Sequence, residues 1–115
     1  MEVYNGFLLI FNDNNPLHTN EDFAITKNYK SVVMHGNILN GFISYFIGEC
    51  LPIMNVIIHT QSISYKNPCY LNDELLFKAI IENIYDSIST IEFKFTFTNT
   101  SNLVISKGKI QIGII

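Results

Sequence analysis

A carboxylate and an imidazole stand in one hexapeptide, Asp13-Asn14-Asn15-Pro16-Leu17-His18, with a proline between them. An ionised acid beside a group that titrates near neutral pH can take a proton from a shared water and deliver one elsewhere, which is general acid and base chemistry. Spacing decides whether the two can meet. In a continuous helix, side chains five positions apart diverge by about 140°, and in a strand an odd spacing sends them to opposite faces. A turn can bring them together. Asn15-Pro16 imposes one, because proline fixes its own φ and drives the residue before it out of the helical region. The hexapeptide also has a purely structural reading, in which Asp13 caps the backbone amides of a common turn.

A second cluster, Val32-Val33-Met34-His35-Gly36-Asn37, precedes an apolar stretch of helical period. Glycine at a helix start leaves N–H groups pointing outward at the positive end of the helix dipole, where a carbonyl oxygen gaining negative charge would be stabilised. Gly36 is therefore a candidate oxyanion donor, while His35 reads as a structural imidazole or a substrate contact. His18, His35 and His59 lack the short-spaced ligand pairs of zinc sites, so no metal is expected.

These residues need elements to hold them. From Asn37 to Cys50 the apolar residues Ile38, Leu39, Phe42, Ile43, Phe46 and Ile47 recur at three- and four-residue spacings. That predicts a helix buried on most sides and ended by Leu51-Pro52. Its last residue, Cys50, reads as a small core residue. A short helix should begin at Asn20, a good N-cap for Glu21-Asp22-Phe23-Ala24. Val3 to Phe11 is ambiguous between helix and strand.

Beyond Asn55 the period falls to two. Val56 to Tyr65, Leu75 to Tyr85, Ile91 to Thr98 and Leu103 to Ile114 read as strands, separated by Asn67-Pro68, Asn72-Asp73, Asp86-Ser87 and Asn99 to Asn102. The expectation is a four-stranded antiparallel meander packed on the helix, an α+β architecture with the sheet wrapped around it. Phe93, Phe95 and Phe97 should form a core stripe. His59 reads as a satisfied histidine within its strand, and Cys69 as a turn residue.

The chain has 115 residues, 48% of them apolar, enough for a core, so one domain over residues 1–115 is expected. Its net charge is −3 and it has no arginine, which argues against nucleic acid as a partner. No signal peptide and no apolar run of spanning length occurs, and two cysteines make no disulfide framework. No membrane contact and a cytoplasmic location are expected. An exposed sheet edge in so apolar a chain favours a homodimer or a higher homo-oligomer.

The order Asp13-x-Asn15-Pro16-x-His18, Phe23-Ala24, Val33-x-His35-Gly36, Leu51-Pro52, Gln61-Ser62, Tyr65-x-x-Pro68 and Asn72-Asp73 resembles the MaoC-like, (R)-specific enoyl-CoA hydratases of the hot dog fold. It runs from about Phe11 to Phe77. The resemblance implies a helix wrapped by an antiparallel sheet and a dimer with its sites at or near the subunit interface. It further implies reversible addition of water to a trans-2-enoyl thioester of coenzyme A or an acyl carrier protein, with no cofactor. Asp13 matches the base that activates water, His18 its acid/base partner, Asn15 the residue that holds the loop and Gly36 the amide that polarises the thioester. Lys66 matches the turn near the thioester entrance, where a lysine could meet phosphate.

Three positions depart from the family pattern. The chain begins about a dozen residues before the motif, so the sheet is expected to lack the family's first strand. Gly41 stands where serine is frequent, and Ile53 where glycine follows Leu-Pro. Other functions compatible with this fold are a non-catalytic acyl-binding or scaffolding subunit and a thioesterase.

Overall fold

The computed structural model describes residues 1–115, which fall into two compact units. The first comprises residues 1–41 and 68–73, the second residues 42–67 and 74–115. Helix α4, Asn37–Tyr45, runs across the division.

The first unit opens with α1, Glu2–Phe11, settling the segment that periodicity left undecided. Phe7 and Phe11 stack one turn apart, ring centroids 4.8 Å from each other. Asn12 ends the helix in the left-handed conformation, φ 55°, its amide donating to the Leu8 carbonyl at 3.0 Å. Next come α2, Pro16–Thr19, capped by the Asn15 side chain with Pro16 at its first position, and α3, Glu21–Thr26, capped by Asn20 as expected. The chain then returns along Val33, whose amide donates to the Leu17 carbonyl at 3.0 Å. Val33 also forms a β-bridge with Tyr70, and the Met34 amide donates to the Cys69 carbonyl at 2.7 Å. The 68–73 segment thereby fixes the approach to α4.

The second unit is a four-stranded antiparallel sheet of β1 (Val56–Tyr65), β2 (Leu75–Tyr85), β3 (Thr90–Asn99) and β4 (Val104–Ile114), preceded by a π-helical turn, Phe46–Cys50. Strand order is β1-β4-β3-β2. Only β2, β3 and β4 follow one another as a meander; β1 pairs with β4 at the far edge, which corrects the simple meander. Residues 66–74 between β1 and β2 are no hairpin turn: Asn67 is held to β4 by its amide on Ile105 and its side chain on Val104.

Phe93, Phe95 and Phe97 are buried core residues, as expected, with Ile43, Ile47, Ile105, Ile110 and Ile112 beside them in this unit. Phe46 packs edge-on against Phe77 and Phe93, at 5.1 and 5.7 Å between centroids. Gly108 is required here, since a Cβ would collide with the Ser62 carbonyl oxygen and lie 2.8 Å from the Phe95 ring.

Several expectations are corrected. Phe42 and Tyr45 are 48% and 62% exposed, so the helix buries one face rather than most sides. Cys50 is exposed because the π turn winds too loosely to carry the buried stripe to its end. His59 lies at a bulge in β1, exposed, with its ring over Gly113, instead of being satisfied within the ladder.

Candidate active site

The proline turn does what its spacing suggests. Asp13 lies in the exposed loop after α1, and the short α2 turns His18 back toward it. Asp13, His18 and His35 each offer a side-chain ligand atom, all within 4.8 Å of one another. All three belong to the first unit, and so do Asn15 and Gly36.

Each imidazole is oriented by a backbone carbonyl. His18 Nδ1 lies 2.6 Å from the Val33 oxygen, and since a carbonyl only accepts, Nδ1 carries the proton; the neutral ring then has its lone pair on Nε2. By the same reasoning His35 Nε2 donates to the Asp13 carbonyl at 2.9 Å, leaving the lone pair on Nδ1. That Nδ1 is buried and has no hydrogen-bond partner, an arrangement that costs about 1–3 kcal/mol. The two rings stack at 4.1 Å with 30° between their planes.

Helix α1 contributes residues that sequence reasoning missed. The Phe7 and Tyr4 rings lie 4.6 and 5.8 Å from His35, and the Tyr4 hydroxyl donates to the His18 carbonyl at 2.6 Å. The spacing of Tyr4, Phe7 and Phe11 was a usable helical signal, but nothing local says which surface such a stripe covers.

Asn15 holds the loop: its Oδ1 accepts from the Leu17 amide at 3.0 Å, and its own amide donates to Asp13 Oδ1 at 3.3 Å. The capping role of Asp13 thus coexists with its place in the cluster. The Gly36 carbonyl accepts from the Leu39 amide at 3.0 Å at the start of α4. A Cβ at Gly41 would meet nothing within 4 Å. Lys66 belongs to the second unit, exposed at the end of β1, its amide donating to Ile105.

The same three side chains form a ligand set that a transition-metal dication could use, because ligating histidines commonly donate their other N–H to a carbonyl. Their spacing in sequence gave no sign of this. Cys69 is a different case: burial, helped by the Asp73 carboxylate, pushes its thiol up to about 11, away from nucleophilic reactivity.

No protein-family model matches the chain. It is 32% identical over 93 residues to an (R)-specific enoyl-CoA hydratase of Rhodospirillum rubrum, a match covering 81% of this chain and 65% of that protein. A second (R)-specific enoyl-CoA hydratase, from Aeromonas caviae, is 35% identical over 70 residues, covering 61% and 52%. The chain thus spans about half to two thirds of the length of these relatives. In three dimensions it is similar to the (R)-hydratase of A. caviae involved in PHA biosynthesis, with a TM-score of 0.88 at 22% identity over 97% of this chain and 85% of that one.

The antiparallel sheet, its helix and this likeness define a hot dog protein. The relatives it is similar to in sequence are (R)-specific enoyl-CoA hydratases.

Proposed function

We propose that the chain is an (R)-specific hydratase/dehydratase, a lyase that adds water to or removes it from the C2=C3 bond of an enoyl or 3-hydroxyacyl thioester. The observation that carries this reading is the convergence of the Asp13 and His18 side chains across the proline turn. The Asp13 carboxylate and the His18 Nε2 lone pair are both acceptors, so together they can hold both protons of one water and leave its oxygen lone pair free for C3. As the C3–O bond forms, one water proton passes to the pair and the π electrons move to the thioester oxygen. The Gly36 N–H stabilises that oxygen, and the enolate collapses as C2 takes a proton from the pair. Run backward, the same steps dehydrate a 3-hydroxyacyl thioester.

Lys66 is proposed as a contact for the phosphates of the thioester carrier, and Asn15 as the residue that keeps the loop in place. No step needs a metal or organic cofactor. The working form is proposed to be a homodimer of a single 1–115 hot dog domain in the cytoplasm, with coenzyme A or an acyl carrier protein bearing the acyl group. No helix is long and apolar enough to cross a membrane.

Purified protein should hydrate a short trans-2-enoyl-CoA, followed as loss of the conjugated thioester absorbance, and Asp13→Asn should lower kcat by about 10²-fold or more. A variant as active as its parent would overturn the assignment. Parallel assays on the carrier-protein thioester identify the preferred carrier, and binding without turnover on either would point to the non-catalytic acyl-binding role.

A further inference from the structure

We propose that His35 is a positioning residue, a single ring that fixes the backbone of Asp13 and the imidazole of His18 at once, held from behind by Tyr4 and Phe7. The proposal rests on the hydratase reading for its catalytic consequence, but its structural content stands on geometry alone. Asp13 is exposed in the loop that follows the left-handed Asn12, and the hydrogen bond from His35 Nε2 ties its carbonyl to the segment leading into α4. The His35 ring also stacks on His18, 4.1 Å between centroids, which limits rotation of the ring whose Nε2 must meet the water. His18 is thereby restrained three ways: at Nδ1 by Val33, along its ring by His35, and at its carbonyl by the Tyr4 hydroxyl.

The burial of His35 says what kind of residue it is. At 3% exposure, against the Phe7 and Tyr4 rings, a phenylalanine would pack without leaving a nitrogen unsatisfied, whereas the histidine keeps Nδ1 unpaired. A buried unsatisfied group of this kind calls for a reason other than stability. What only the histidine supplies is the Nε2–H on the Asp13 carbonyl, so the site holds a costly ring in exchange for placing a carboxylate. Misplacement of a reacting group by about 1 Å costs about 10²-fold in rate, which sets the scale of the effect.

The test compares the parent with His35→Phe, which keeps a ring and lacks the donor, and His35→Gln, whose amide can still donate. Melting temperature, kcat, KM and imidazole ¹⁵N NMR are measured on each. His35→Phe should melt no lower than the parent and lose about 10–100-fold in kcat with KM within about twofold, while His18 stays Nδ1–H, since both the stacked ring and the Val33 carbonyl remain. His35→Gln should recover part of the lost kcat. His35→Leu, which removes ring and donor together, should lose at least as much kcat and show His18 as a mixture of tautomers where the parent shows Nδ1–H alone, and it stands in for the phenylalanine variant should that one fail to fold. Parental kcat in a donor-free variant, or an unchanged His18 spectrum in His35→Leu, overturns the proposal. If the parent itself turns over no enoyl thioester, the hydratase reading fails, and the NMR comparison of the parent with His35→Leu alone decides: a His18 tautomer that survives loss of the ring refutes the positioning role, and one that scrambles supports it.

Discussion

Asp13 and His18 are held by different means. His18 is fixed through its ring, by the Val33 carbonyl, whereas Asp13 is fixed mainly through its backbone, leaving its carboxylate in solvent. On the proposed reading such a pair needs only water, so dialysis against a chelator should leave hydration rates unchanged, while added Zn²⁺ should inhibit by taking the ligand atoms that hold the water. Loss of activity on chelation would make a metal part of the chemistry. The thiol of Cys69 gives a pH signature independent of the site. Its folded-state pKa, about 11 against an ordinary 9.0, lies above the unfolded one, so its contribution to stability is present below pH 9 and lost as pH rises toward 11. Melting temperature should therefore fall across that window, less steeply in Cys69→Ala; identical slopes would remove the effect. The pairing of Asp13 with His18 was legible in sequence because a proline turn is local. The bond from His35 to Asp13 spans 22 positions, and no hexapeptide rule reports it.

The second-unit strands and the helix α3 were readable from period and caps, because alternation and an Asn before Glu-Asp-Phe are signals carried within each segment. What failed was relational. The place of β1 beside β4 depends on where residues 66–74 are anchored, and the exposure of Cys50 on a π turn that loosens the helix after Tyr45. Asparagine does a job that composition alone did not reveal: Asn12, Asn28, Asn72 and Asn102 all have positive φ, and no glycine does. The glycine that matters instead admits a close approach. Gly108→Ala should destabilise by about 1–3 kcal/mol, the usual cost of overpacking, and lower the melting temperature by several degrees, because the Ser62 carbonyl and Phe95 ring cannot both give way. An unchanged melting curve would show that β4 shifts freely. Helix α1 should matter to rate more than to folding. Tyr4→Phe removes only the hydroxyl on the His18 carbonyl, and a fall in kcat at constant melting temperature is the expected outcome; unaltered kinetics would restrict α1 to packing.

As a whole, the molecule carries more apolar surface than a monomer usually leaves in water. Ile57 and Tyr65 on edge strand β1, and Leu76, Ile80 and Ile84 on edge strand β2, are all 49% exposed or more. Surfaces of this kind are covered in working proteins, usually by a second copy. Sedimentation at micromolar concentration should find a species of at least twice the 13.2 kDa chain mass, and a sharp monomer would contradict the dimer. The claim on which the functional account turns is that two side chains act as one unit on one water. Groups that act as a unit lose their effect together rather than in proportion. The direct measurement is enoyl-CoA hydration by Asp13→Asn, His18→Gln and the double variant, each shown to fold. Each single change should cost about 10²-fold or more and the double change no more than the worse single one. Losses that multiply, or a single variant as fast as its parent, would contradict the account.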